Sequence, residues 1–247
     1  RKVKKIKIRY NCVDTIAKIK NCKIVIKDIK NAVIISPHPD DETLGVGGTI
    51  KKFSKNGINV SVLVVSGHLP PLYNSNAFQI TKKEALNAFK KLGVKNYEFL
   101  EIPATYVHKE EISSLYKQII NFISQFNPEI VFIPFPDRHI DHRVIFDGSV
   151  VACRPIGKKF PKIVLLYETL SETHWNVATA EPVFNPDFYI DITKEINHKT
   201  SALNCYKSQI LNNSSRSIDA VRALAKFRGS QNGCEFAEAF KVVRIVI

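Results

Sequence analysis

At 247 residues the chain is long enough for one sizeable α/β domain and too short for two full domains. Its 45% hydrophobic and 24% charged content is that of an ordinary globular protein, and no apolar run reaches the roughly 18 residues of a membrane-spanning helix. The net charge of +13 is concentrated in residues 1–30, which hold 11 Lys or Arg against Asp14 and Asp28, so the 25 basic and 21 acidic side chains that follow carry no nucleic-acid-like excess.

Residues 1–30 therefore read as a basic N-terminal extension, an added hairpin or a mobile arm, ahead of a domain over 31–247. They lack the apolar centre of a signal peptide, so a cytoplasmic address is expected. A β-rich run, Ala32 to Ser36, predicts a buried strand, followed by a helix over 43–56 that Gly57 closes. Asn59 to Ser66 reads as a second strand, Gly67 to about Asn76 as a loop, and Thr81 as the cap of a helix ending at Gly93. A third strand is expected over 97–102, an amphipathic helix over 110–126 and a fourth strand over 129–134. The second half offers strands at 163–167, 187–192 and 240–247, and helices near 194–211 and 216–228. Strands alternating with helices imply βαβ units and a mainly parallel sheet flanked by helices in a single α/β domain. Cys12, Cys22, Cys153, Cys205 and Cys234 form no C-x-x-C pair, so neither a disulfide framework nor a cysteine zinc site is expected.

Two polar clusters carry the chemistry. Pro37-His38-Pro39-Asp40-Asp41-Glu42 follows the first strand, and Asp137-Arg138-His139-Ile140-Asp141-His142-Arg143 follows the fourth. In open α/β sheets the carboxyl ends of strands are where ligands bind. His38 and Asp41, three apart at a helix start, can aim at one point. Together the clusters offer two His and one Asp as metal ligands, leaving a fourth position for water, the arrangement of a catalytic zinc site. Taken alone, a His pair reads as loop hydrogen bonding and H-x-D-D as a helix-capping cluster. Two clusters on one sheet edge favour the metal.

The P-H-P-D-D-E run, the Leu44-Gly45-Val46-Gly47-Gly48-Thr49 that follows it and the later His139-Ile140-Asp141-His142 resemble the PIG-L (LmbE-like) deacetylases. The resemblance extends from about residue 31 to the C-terminus, through Arg228-Gly229 and Ala237-Glu238-Ala239-Phe240. It implies a Rossmann-like zinc enzyme that removes the N-acetyl group of an N-acetylglucosamine-type amino sugar or its conjugate. By the same resemblance His38, Asp41 and His142 are the ligands of one Zn²⁺, a site that other divalent ions such as Fe(II) or Co(II) could also fill. Asp40 is then the general base for the attacking water. His139 stabilises the oxyanion or protonates the amine, with Asp141 orienting it. Many relatives carry a sugar-gripping Arg where this chain has Thr81, so substrate contacts are not carried over there.

Gly45-x-Gly47-Gly48 lacks the third glycine of a dinucleotide fingerprint, and these glycines are read as letting the helix approach the sheet. Trp175, His174 and Tyr167, near Glu168, are read either as a sugar-stacking wall or as packing. The expected partner is a small-molecule amino sugar, with no specific nucleic acid and no transmembrane segment; a homo-oligomer stays open. Two alternatives remain. One is an amidase acting on a larger acyl or thiol-conjugated glycoside, the other a metal-containing binding protein that docks through its basic arm.

Overall fold

A computed structural model describes residues 29–157, 159–177, 179–210 and 214–246. The expected hairpin or arm of the first 28 residues lies outside them. Seven strands form one sheet: β1 Asn31–Ser36, β2 Asn59–Gly67, β3 Asn96–Pro103, β4 Ile130–Pro134, β5 Ile163–Tyr167, β6 Phe188–Asp191 and β7 Ala237–Ile245. Among the described residues six α-helices accompany them: α1 Asp41–Lys55, α2 Ala77–Leu92, α3 Ile112–Phe126, α4 Ile140–Ala152, α5 Ile196–Leu203 and α6 Ile218–Ser230. The strand order is β3-β2-β1-β4-β5-β7-β6. The first five positions pair in parallel, and β7 runs antiparallel to both β5 and β6.

Strand residues alternate between two cores, as the two-residue period of a sheet buried on both faces requires. Ala32, Ile34, Val60, Val62 and Val64 pack with α1, α2, α5 and α6. Val33, Ile35, Leu63 and Val65 pack with α3 and α4. The result is a three-layer α/β/α domain. The four expected strands of the first half stand within a residue of their expected positions.

Several helices depart from expectation. α2 begins at Ala77, so Thr81 lies inside it, and its Oγ1 donates to the Phe78 carbonyl. A hydroxyl satisfied by its own helix gives the same residue signal as a cap. α4 carries no usual start signal, because its N-cap is His139, whose Nδ1 accepts from the Asp141 amide. α5 is only eight residues long, and the described residues 204–210 and 214–217 that follow it are turns and loop. β7 starts at Ala237, three residues before the expected strand.

Candidate metal centre and active site

The chain winds outward from β1 through β2 to β3, then returns to β4 on the other side of β1. This reversal opens a crevice at the carboxyl ends of β1 and β4, where doubly wound sheets bind ligands. Pro37–Glu42 leaves β1 there and Phe135–His142 leaves β4, so the two polar clusters face one another. The turn into α1 is strained, with Asp40 at φ 124°. A non-glycine residue held there costs about 1–3 kcal/mol and persists only where its surroundings fix it.

His38, His139 and His142 each bring one ring nitrogen to within 4.8 Å of the others. Asp41 Oδ2 stands 3.2 Å from His38 Nδ1 and 3.3 Å from His142 Nε2. In a tetrahedral site with metal–ligand distances of ~2.0–2.2 Å, ligand atoms stand about 3.4 Å apart. His142 Nε2 is buried yet is not aligned for a hydrogen bond with any described residue. These donors fit a divalent ion.

The far nitrogen of each of these two rings is anchored by a carboxylate. His38 Nε2 lies 2.9 Å from Asp141 Oδ2, and His142 Nδ1 lies 3.0 Å from Asp137 Oδ2. Such carboxylates fix the tautomer and orientation of metal-binding imidazoles. Asp141 Oδ2 also accepts from the Thr105 amide at 2.7 Å, and Thr105 holds φ 67° to present it. Asp137 Oδ2 also accepts from Thr173 Oγ1 at 3.0 Å.

The expectation that Asp141 orients His139 is corrected by this geometry. The Asp141 carboxylate is 4.0 Å from His139 Nδ1, which instead accepts the Asp141 backbone N–H at 3.2 Å. An H-x-D-H spacing places the carboxylate near both rings, and only the strained Thr105 amide, 36 residues away in sequence, commits it to His38.

The electrostatics follow from the crowding of carboxylates. Burial disfavours a charged His38, yet hydrogen bonds to Asp141 and Asp41 push it up to about 9. Burial opposes charge on His142 too, and Asp41 and Asp137 push it up to about 10. Asp41 would be raised by burial but is held well below its usual value by His142 and His38. Burial pushes Asp40 up to about 8 despite the attraction of Arg216. Burial and the neighbouring His38 and His142 push His139 down to about 4, so its ring is neutral at pH 7.

Several further residues at this site carry no role that the sequence alone marks. Glu42 is fully buried, accepting from Ser36 Oγ, Thr43 Oγ1 and Tyr206 OH and so tying the α1 turn to the segment after α5. Arg216, in the segment before α6, places Nη1 3.8 Å from Asp40 Oδ2. His68, just past β2, is pushed down to about 4 by burial and by the charges of His38 and Arg216. A histidine at the carboxyl end of a predicted strand was the available signal for His68. Nothing local marks Arg216.

The proposed stacking wall divides. Tyr167 is core, with its hydroxyl donating to the Ile35 carbonyl, and Glu168 is paired with Arg228 and His174. Trp175 is 66% exposed on the turn that carries Thr173. Gly45 and Gly48 do allow close approach. A Cβ would fall 2.3 Å from the Tyr167 ring at Gly45 and 2.7 Å from Ile192 at Gly48.

Residues 33–153, spanning β1 to α4 and both polar clusters, match the PIG-L family, described as GlcNAc-PI de-N-acetylase. The chain is 27% identical over 234 residues to the diacetylchitobiose deacetylase of Thermococcus kodakarensis, covering 87% of this chain and 84% of that protein. It is 32% identical over 150 residues to the uncharacterized deacetylase YaiS of Escherichia coli, covering 58% and 75%. Among solved structures, the N,N'-diacetylchitobiose deacetylase of Pyrococcus horikoshii shares its fold, with a TM-score of 0.71, 22% identity and coverage of 96% and 95%.

Proposed function

Since the chain belongs to the PIG-L (LmbE-like) family, we propose that it is a metal-dependent hydrolase that removes the acetyl group from an N-acetylglucosamine-type amino sugar or its conjugate. The supporting observation is the Asp41 carboxylate set 3.2 and 3.3 Å from two imidazoles whose far nitrogens are held by Asp141 and Asp137. His38, Asp41 and His142 would hold the ion, a single zinc by donor type. Such an ion supplies a Lewis acid for the amide carbonyl and makes the attacking water more acidic.

The remaining steps belong to this chain's own groups. Asp40, one residue from a ligand, has Oδ2 buried without a hydrogen-bond partner, and that atom takes the proton of the attacking water. A cation beside it favours its ionised form. His139 Nδ1 accepts a backbone N–H, so the neutral ring carries its proton on Nε2. That N–H donates to the developing oxyanion, the first of the two roles expected for His139. Thr105, Asp141 and Asp137 keep the two ligand rings in place.

The test is acetate release from N-acetylglucosamine and N,N'-diacetylchitobiose by metal-loaded protein, with analysis of every acid released. Acetate as the sole acid supports the reading, and release only of a larger acid favours the wider amidase. Asp40→Asn should retain metal while kcat falls by about 10²–10⁴ with KM little changed. Near wild-type turnover in that variant would refute the assignment of the base.

A further inference from the structure

Building on the deacetylase reading, we infer that Arg216 and Glu172 form a paired donor and acceptor for two adjacent hydroxyls of the substrate ring. The substrate class is then an uncharged pyranose with a free vicinal diol, not N-acetylated amines in general.

Arg216 reaches the crevice from the segment before α6, and Glu172 from the turn after β5. The Arg216 Nη2 to Glu172 Oε1 distance is 3.4 Å, and Nη1 lies 3.2 Å from Gln209 Oε1 and 3.8 Å from Asp40 Oδ2. These contacts are long for charge-assisted hydrogen bonds, which run at about 2.7–2.9 Å. Arg228 provides the contrast within the same protein, gripping Glu168 at 2.9 and 2.7 Å with its side chain 10% exposed. The Arg216 side chain is 29% exposed and that of Glu172 18%. The Arg228–Glu168 pair is closed on itself, and the Arg216–Glu172 pair is open to a ligand.

A guanidinium only donates and a carboxylate only accepts, whereas each sugar hydroxyl does both. Two neighbouring hydroxyls can therefore enter between Arg216 and Glu172, one accepting and the other donating. An anionic substituent fits less well, because Asp40 and Glu172 already match the Arg216 charge.

A second observation comes from the β2–α2 loop. His68 is about nine-tenths buried, and its Nδ1 has no hydrogen-bond partner among the described residues. Its ring meets Tyr73 edge to face at 4.5 Å. His68 and Tyr73 are both near enough to Arg216 to interact with its charge. A polar ring atom left open on this side is a further hydrogen-bonding group for a hydroxylated ligand. On α2, Thr81 is buried and Lys82 Nζ is paired with Glu101 at 2.6 Å.

The experiment uses the metal-loaded full chain with two probes of similar ring shape, N-acetylglucosamine and the hydroxyl-free N-acetylcyclohexylamine. Glucosamine, the product that keeps the hydroxyls, gives a binding readout independent of turnover. Arg216→Gln should raise KM for N-acetylglucosamine and Kd for glucosamine by about 10- to 100-fold. Losing the pull of Arg216 on Asp40 lowers the rate on both probes alike, so the readout is the ratio: kcat/KM on N-acetylglucosamine should fall at least about 10-fold further than on N-acetylcyclohexylamine. Metal content and Tm should match wild type. Arg216→Lys should recover little, because an ammonium lacks the planar fork. Glu172→Gln should shift the same constants in the same direction. An unchanged KM in these variants overturns the inference, and so does an equal loss on both probes, which would mean that Arg216 acts through Asp40. A wild-type protein that releases acetate from neither probe refutes the deacetylase reading instead. The glucosamine titration then decides the diol site on its own, and absent or Arg216-independent binding overturns it.

Discussion

Glu238 offers the sharpest test of what holds the helix that carries Asp41 in place. Its two carboxylate oxygens accept from the Gly48 amide at 2.8 Å, the Thr49 amide at 2.7 Å and Lys199 Nζ at 2.6 Å. Lys199 Nζ also donates to the Leu44 carbonyl at 2.7 Å, and both side chains are at most 4% exposed. The pair thus ties β7 and α5 to the middle of α1, two turns after Asp41. Glu238→Gln keeps the shape but leaves an ammonium buried without its counter-charge. Breaking one side of a buried ion pair costs about 3–5 kcal/mol, a large share of the roughly 5–15 kcal/mol that stabilises a domain. At about 2–4 °C per kcal/mol for a domain of this size, Tm should fall by ~6–20 °C. Thermal unfolding of the two single variants and of Lys199→Met/Glu238→Gln would measure the coupling, and the double variant should lose less than the sum of the singles. A fall below about 2 °C in Glu238→Gln, or strict additivity in the cycle, would refute the reasoning.

Three further outcomes are expected. Asp137→Ala removes the anchor of His142 Nδ1 and the partner of Thr173 Oγ1, so metal affinity measured against a competing chelator should fall about 10- to 100-fold; unchanged affinity would show that Asp137 does not orient the ligand. Glu168 would be raised by burial but is held below its ordinary value of 4.5 by His174 and Arg228, so its stabilisation is fully present above that value and is lost as pH falls through the lowered one; the stability gap between wild type and Glu168→Gln in urea should be wider at pH 7 than at pH 3, and a constant gap would contradict the sign. A chain that begins at Ile29 keeps a residue packed in the core and the Lys30 and Asn31 amides on Glu129 Oε2, and its turnover should stay within about twofold of the full chain; a folded truncation without turnover would place catalytic function in the basic segment.

β1, β2 and β4 were legible because they are buried on both faces and read as nearly unbroken apolar runs, whereas β3 is a largely exposed edge strand marked by Tyr97, Phe99 and Ile102. Val33 and Ile34 point into different cores and are both apolar. α4 was not legible, since its capping group is an imidazole and its residues Val144, Ile145, Val150 and Val151 suit a strand as well as a helix. At the site, His38, Asp41, His139 and His142 were legible because each lies within eight residues of a strand end. Their supports were not, because Thr105, Thr173, Arg216 and Glu172 reach them through tertiary contacts that no local spacing encodes. The direction of the Asp141 carboxylate failed for the same reason. Sequence spacing put it near two rings, and a backbone amide from the β3–α3 connection chose between them.

The carboxylates around the crevice also determine what kind of charge it is built to receive. Asp40, Asp41, Glu42, Asp137 and Asp141 are each at most 2% exposed. Buried carboxylates in such number need matching positive charge, or they must take up protons. With only its own groups, the site takes up protons. His38 and His142 rise to about 9 and about 10, and Asp40 holds its proton up to about 8. In that state Asp40 is an acid at neutral pH and cannot serve as a base. A dication among the donors would be held by His38 and His142 as neutral imidazoles, with their far N–H groups on Asp141 and Asp137, and would favour the ionised form of Asp40. The same carboxylates that hold the ligand rings therefore make the basicity of Asp40 conditional on the ion. Arg216, 3.8 Å from Asp40, favours the ionised form without neutralising the whole cluster.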